Sequence, residues 1–486
     1  VLVMFLTLCT SVTSVQGLAR PALWEASSSQ GTLTTDSRNS RTVYAEFGTD
    51  RGQIIVGGDA IADSVASDDA YAYQRTYPQG ELYAPITGYF STYFASMTGM
   101  EQAGNTLLNG EDPSLFSSRV KSLITGQTQR GGSLELTIDP EVQQAAWDAL
   151  AGRRGSVVAL NPSTGAILAM VSSPSYDPNQ LASHDGGTAQ AAWDALISDE
   201  GRPLDNRATG GNLYPPGSTF KILTVAAGLR TGKITANSEV DAPDTLTLPG
   251  TNHALSNYAS ESCGNGRVTL SFAFAESCNT PFAQLAMDVG DEALADEASR
   301  WGFGSDLSIP LPVSRSVYPA NDGPAQTAMA GIGQQSVRTT PLMMAMVAAT
   351  VANDGEQMTP YLISQTLDAD LQVVSTTKPT VARTPIDSDT AAALTGLMQQ
   401  AVSSGTGTSA QVAGVSVAGK TGTAQTGSDD GGPITWFIGF AGTDINNPTI
   451  AIAVVLDGGE QIPTTGTGGS VAGPIAASVI DAAVDQ

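Results

Sequence analysis

The stretch Tyr214-Pro215-Pro216-Gly217-Ser218-Thr219-Phe220-Lys221 sets a hydroxyl and an amine three residues apart at the opening of a helix. Pro215-Pro216-Gly217 cannot continue a helix, whereas Thr219 to Leu229 is rich in apolar residues and Gly232 stands where a C-terminal cap belongs. Ser218 is therefore expected in the first turn. Lys221 shares its face, because positions i and i+3 of a helix have Cβ atoms about 5–6 Å apart. An isolated serine is a weak nucleophile near neutral pH, and a neighbouring amine that loses its proton can activate it. The helix N-terminus adds unpaired N–H groups that favour a developing oxyanion. The spacing alone carries little weight, since serine is an ordinary helix cap and the pattern recurs at Ser118/Lys121 and Ser375/Lys378.

Outward from this segment, helix and strand signals alternate. Asp139-Pro140 opens a helix through Val142, Ala146, Trp147 and Leu150 to Gly152. Ser156 to Leu160 and Ala166 to Val171 flank Asn161-Pro162-Ser163-Thr164-Gly165, a hairpin signature. Residues 174–217 read as loop, 234–267 as polar and irregular, and Leu270 to Val289 as helix. Thr340-Pro341 begins another helix, and Asp387 caps one over Ala391 to Val402. Val415 to Gln425, Thr435 to Ala441 and Thr449 to Leu456 read as three successive strands, followed by a terminal helix from Val471 to Val484. Strands at both ends with helices between them predict one sheet assembled from distant segments, an α+β fold. Arg41 to Ile138, with short β-prone stretches at Gln53 to Val56 and Ser133 to Ile138, reads as a smaller α+β domain without catalytic signals.

Composition narrows the function classes. Lys and Arg number 22 against 47 Asp and Glu, for a net charge of −25, which argues against a nucleic-acid partner. Two His and three Cys offer no usual metal-ligand spacing, so metal catalysis and a cofactor are not expected. Val1 to Val15 is an apolar run without a charge, shorter than the ~20 residues of a membrane-spanning helix; it reads as part of an anchor or as a signal-peptide core. Either reading exports the remainder. With Cys9 in that run, Cys263 and Cys278 are left as a disulfide pair or as two separate thiols.

Two further segments supply chemistry. Ser277-Cys278-Asn279 offers a hydroxyl and a carboxamide two residues apart, on a short turn following the apolar run Val268 to Ala275, and Lys420-Thr421-Gly422-Thr423 puts a cation and two hydroxyls on a strand. Alternation sends Lys420 and Gly422 to one side and Thr421 and Thr423 to the other. Gly422 leaves room for a close backbone approach. Each tripeptide is weak alone, and Ser37-Arg38-Asn39 matches the second pattern equally well. The order Ser218, Ser277, Lys420 is far more specific, and it is a recognised motif set of serine acyl-transfer enzymes.

With these motifs the chain resembles the class B penicillin-binding proteins, and among them the actinobacterial A type. Further likeness lies in Arg51-Gly52-Gln53-Ile54, Gly155 to Tyr176, Pro203-Leu204-Asp205-Asn206-Arg207-Ala208, Gly331-Ile332-Gly333-Gln334 and Trp436-Phe437-Ile438-Gly439-Phe440. The resemblance implies a penicillin-binding, β-lactamase-like transpeptidase domain over 146–486, its central mainly antiparallel sheet flanked by helices. It also implies a non-catalytic pedestal or dimerisation-like domain over 41–145, a linker over 17–40 and a membrane or signal segment over 1–16. The implied activity is D,D-transpeptidation of peptidoglycan stem peptides ending in D-Ala-D-Ala, with β-lactams as covalent inhibitors. A D,D-carboxypeptidase, a β-lactamase-like hydrolase and a β-lactam-binding sensor or division scaffold are the alternatives. The implied place is the cell membrane, single-pass, with an extracytoplasmic catalytic domain and cell-wall synthesis or division proteins as partners.

Carried onto these residues, the resemblance makes Ser218 the nucleophile and Lys221 the group that takes its proton. Ser277 relays a proton to the leaving amine, Asn279 orients the substrate amide, and Lys420 biases Lys221 toward its neutral form. Thr421, Gly422 and Thr423 bind the substrate carboxylate end, and the backbone N–H groups of Ser218 and Thr423 form the oxyanion hole.

Overall fold

The computed structural model describes residues 47–116, 124, 130–252, 254–257, 262–307, 309–321, 323–425, 432–459 and 461–484. The expected anchor at 1–16 and linker at 17–40 lie outside these. Among the described residues no helix is long and apolar enough to cross a membrane.

Five strands form the central sheet, in the order Ser416–Ala424, Ile434–Gly442, Ile450–Leu456, Gly155–Leu160, Ile167–Ser173, all antiparallel. The hairpin signature at 161–165 thus closes one edge, and the three C-terminal strands complete the other. Ile450–Leu456 is buried at every position. Its two faces feed different cores. Ala451, Ala453 and Val455 pack beneath helix Pro341–Ala352, whereas Ile452 and Val454 pack with helices Pro140–Leu150 and Gly473–Val484 on the opposite side. A strand covered on both faces must be apolar throughout, and a helix buried along nearly its whole length, as Pro341–Ala352 is, must be apolar all round. Asp139 and Thr340 cap their helices as the sequence indicates, each accepting from backbone N–H groups in the first turn.

A second sheet runs Val373–Thr376, Ile363–Leu367, Ser133–Leu136, Ile54–Val56, Asp59–Ala66, Tyr73–Thr76, with one parallel pairing, Ile54–Val56 to Ser133–Leu136. Its first two strands come from beyond helix Pro341–Ala352, so the smaller domain is not built from 41–145 alone. Its core holds a fully buried ion cluster. Glu101 accepts from Arg51 Nε at 2.6 Å and Arg75 Nε at 2.7 Å, and Tyr77 donates its hydroxyl to the same carboxylate at 3.2 Å. Burial alone would raise the Glu101 carboxyl, but the pull of the two guanidinium groups outweighs it and holds the group below its ordinary range.

One segment differs from its sequence reading. Residues 174–217, read as loop, contain helices Pro178–Ala182 and Gly186–Ser198, each begun by an aspartate cap, Asp177 and Asp185. The helical pattern from Leu270 to Val289 is broken where the turn at Ser277-Cys278-Asn279 is expected, into Leu270–Ala275 and Thr280–Val289. The break falls at Ser277, which adopts φ +58, a conformation costly for a residue with a Cβ.

Glu101→Ala leaves two buried guanidinium groups unpaired and is expected to destabilise the small domain by about 3–5 kcal/mol, read by chemical denaturation. Because the folded carboxyl lies below its unfolded value, about 4.3, the wild-type advantage is present above that pH. It is lost as pH falls through the lower folded value.

Candidate active site

Ser218 lies in a 3-10 turn, Gly217–Phe220, immediately before helix Lys221–Arg230, one turn earlier than a regular helix start. The turn is fixed from three directions. Gly217 N donates to Gly333 O at 3.0 Å, Trp436 Nε1 donates to Pro215 O at 3.0 Å, and strand Ser416–Ala424 lies against it. Gly217 has φ +54, and a Cβ there would sit 2.8 Å from Thr423 O and 3.3 Å from Thr423 N. A Cβ on Gly422 would meet Pro216 O at 2.8 Å. Glycine at both positions therefore lets the Ser218 turn and the Lys420 strand touch backbone to backbone. The backbones of Ser218 and Thr423, the two expected oxyanion-hole members, are thus neighbours.

Lys221 is buried on helix Lys221–Arg230, but its amine does not turn to Ser218 in a hydrogen bond. Nζ donates to Ser277 O at 2.8 Å, Cys278 O at 2.8 Å and Asn279 Oδ1 at 2.9 Å, with Ser277 Oγ at 3.5 Å. The half-buried Ser218 hydroxyl makes no hydrogen bond among the described residues. The reason is the break at Ser277: the turn offers three acceptors to the amine, whereas Ser218 offers one.

Lys420 approaches from the strand. Its Nζ donates to Ser277 Oγ at 2.8 Å and to Thr421 O at 3.1 Å. Ser277 Oγ thus stands between two buried amines. Neither amine has an ion pair with a carboxylate among the described residues, and each sits near a ring face, Phe282 for Lys221 at 5.4 Å and Phe274 for Lys420 at 5.5 Å. Burial lowers Lys420 to about 7, with Glu276 opposing. Burial also drives Lys221 well down, and the like charge of Lys420 drives it further. The three oxygen acceptors favour the ammonium form of Lys221. Desolvation of a full charge beside a second cation is the larger effect, so the downward direction stands.

The remaining expected residues divide. Asn279 is here, its Oδ1 on Lys221 and its Nδ2 donating to Ser256 O at 3.1 Å. Thr421 is buried, its hydroxyl 2.6 Å from that of Thr406, which donates to Ala275 O at 3.2 Å. Thr423 is half-buried and accepts from Gly468 N at 3.2 Å. Cys263 and Cys278 are joined as a disulfide. The bridge anchors the middle residue of the turn that holds Lys221. Asn257, Thr406 and Gly468 went unnoticed in the sequence, because each acts across space from a segment without a local pattern.

The arrangement, a half-buried serine beside two buried amines and a hydroxyl between them, suits nucleophilic acyl transfer. Comparison with known proteins agrees. Residues 155–481 match the family described as penicillin binding protein transpeptidase domain. The chain belongs to this family. Residues 51–134 match the penicillin binding protein A dimerisation domain. This class B penicillin-binding protein is 44% identical to the peptidoglycan D,D-transpeptidase PbpA of Mycolicibacterium smegmatis, covering 93% of each chain. It is 42% identical to that of Mycobacterium tuberculosis, covering 93% of this chain and 92% of the other. The crystal structure of PBPA from M. tuberculosis superposes with a TM-score of 0.85, covering 90% of this chain and 100% of that one. Its penicillin G acyl-enzyme complex superposes with a TM-score of 0.84, covering 90% and 99%.

Non-reduced peptide mapping of this penicillin-binding protein is expected to show a Cys263–Cys278 linked peptide that separates on reduction. Two free thiols in the native protein would contradict the tether.

Proposed function

We propose that the chain is a peptidoglycan D,D-transpeptidase that works through an acyl-enzyme on Ser218 and is acylated there by β-lactams. The observation that carries this is the convergence of Lys221, Ser277, Asn279 and Lys420, from three separate segments, beside the Ser218 turn. The acyl-enzyme structures of the M. tuberculosis relative support the same reading.

Lys221, held neutral by burial and by Lys420, takes the Ser218 proton as Oγ bonds to the carbonyl carbon of the penultimate D-Ala. The negative charge that develops on the carbonyl oxygen faces the N–H groups of Ser218 and Thr423; one such donor is worth about 10²–10³ in rate. The C–N bond then breaks, and Ser277 passes a proton to the departing D-Ala amine. Its hydroxyl is suited to this because it accepts from Lys420 and lies near Lys221 at the same time. An amine of a second stem peptide attacks the ester, returns the proton by the same route and releases Ser218. Asn279 has one Nδ2 hydrogen committed to Ser256 O, and it offers the other to the substrate amide. Thr423, with Gly422 beside it, would bind the terminal carboxylate. Thr421 would join once its hydroxyl left Thr406.

The apolar run at Val1 to Val15 and the Cys263–Cys278 bridge both support a membrane-anchored chain with its catalytic domain in an oxidising, extracytoplasmic space. Cell-wall synthesis or division proteins are its proposed partners.

A fluorescent penicillin is expected to label the protein covalently and to leave Ser218→Ala unlabelled. Given a stem peptide ending in D-Ala-D-Ala and an amine acceptor, the protein is expected to form the cross-linked product in excess of the hydrolysed one. Labelled Ser218→Ala would remove the nucleophile, and hydrolysis alone would make the protein a carboxypeptidase.

A further inference from the structure

Helix Thr280–Val289 has an unusual start. Its N-cap residue is Asn279, among the best capping side chains, yet Asn279 makes no cap bond and sits in helical rather than extended backbone, φ −91 and ψ −44. Its oxygen is diverted to Lys221 at 2.9 Å. The cap comes from elsewhere. Asn257 Oδ1 accepts from Asn279 N at 2.8 Å and Thr280 N at 3.2 Å, with the Thr280 hydroxyl at 3.4 Å.

Asn257 is 6% exposed and belongs to the 239–269 excursion, which reaches the turn at several other points. Ser256 O accepts from Asn279 Nδ2, Pro243 O accepts from the Thr280 hydroxyl at 2.8 Å, and Cys263 is bonded to Cys278. These restraints matter because the turn is not comfortable by itself, with Ser277 at φ +58. They also matter because all three acceptors of Lys221 come from its three consecutive residues.

We propose that Asn257 is a positioning residue for acylation: by accepting from the N–H groups of Asn279 and Thr280, it pins the backbone of the 277–279 turn and with it the oxygens that hold Lys221. Without Asn257, the part-buried Asn279 N–H and the buried Thr280 N–H lose their acceptor. Asn279 cannot serve them itself, since an N-cap side chain accepts from the second or third helical N–H. The turn then loosens, and the amine loses its fixed position relative to Ser218. The inference rests on the role of Lys221 in acylation proposed above.

The test measures the second-order rate of acylation of the full chain by a fluorescent penicillin, with thermal unfolding alongside. Asn257→Ala is expected to slow acylation about tenfold, in line with the loss of a cap interaction. Asn257→Asp keeps both acceptor contacts and is expected to restore the rate to within about threefold. Asn257→Gln displaces the same amide by one methylene, and it is expected to slow acylation even if the alanine variant folds poorly. In an Asn279→Ala background the Asn257→Ala loss is expected to be smaller than in the wild type, because both residues act on Lys221 through the same turn. Wild-type acylation by Asn257→Ala and Asn257→Gln would overturn the proposal. So would losses at the two positions that multiply in the double variant. Ser218→Ala separates the two readings. If it labels, the proposed nucleophile fails; if it is silent while the Asn257 variants acylate normally, only the positioning role fails.

Discussion

Two lysine amines buried around one serine hydroxyl set the terms for everything else in this protein. A buried ammonium without a carboxylate partner is costly, and two side by side are more so. The fold tolerates the pair because each amine is hydrogen-bonded, Lys221 to three oxygens of the 277–279 turn and Lys420 to Ser277 Oγ and Thr421 O. Burial lowers both amines from their ordinary range, Lys420 to about 7 and Lys221 well down, with the like charge of Lys420 adding to the fall of Lys221. Lysines are ordinarily charged near neutral pH, and burial in this site disfavours that charge on both.

That requirement explains the surrounding architecture. Lys420 must be held rigidly, and it sits on the edge strand of a sheet whose inner strands are covered on both faces. Ser218 must approach that strand within backbone contact, which glycine at 217 and 422 permits. The 277–279 turn must present three oxygens in one direction. It does so only in a strained conformation, held by the disulfide to Cys263 and by the bonds to Ser256 and Asn257. The polar excursion at 239–269 therefore braces the turn that holds Lys221. The small domain stands on a different device, the Glu101 carboxylate shared by Arg51 and Arg75.

Much of this was legible in the sequence where signals are local. The hairpin around Asn161 to Gly165, the apolar run of Ile450 to Leu456 and the caps at Asp139, Thr340 and Asp387 each depend on neighbours in the chain, and the structure follows them. The three motif segments were legible as a set, and the structure brings them together. What failed was the direction of Lys221. Helical spacing places its side chain on the face of Ser218, but a turn 56 residues away offers more acceptors and takes the amine. The turn between Ala275 and Thr280 was legible at Ser277-Cys278-Asn279, although both flanking halves are apolar and of helical period. The aspartate caps of helices Pro178–Ala182 and Gly186–Ser198 were readable but short on apolar periodicity. Asn257 and Thr406 carry no local signature at all, since a side chain that caps a distant helix or pairs with a distant hydroxyl looks like any polar loop residue.

The coupling between the two amines is the claim on which the account turns, and the pH dependence of β-lactam acylation in Lys420→Met tests it most directly. Methionine keeps the site apolar and filled while removing the charge. Without a neighbouring cation the ammonium form of Lys221 is less disfavoured, so its proton is retained to higher pH. The acid limb of the acylation profile is predicted to move to higher pH than in the wild type. An acid limb that stays in place, or moves to lower pH, would show that Lys420 does not set the protonation of Lys221.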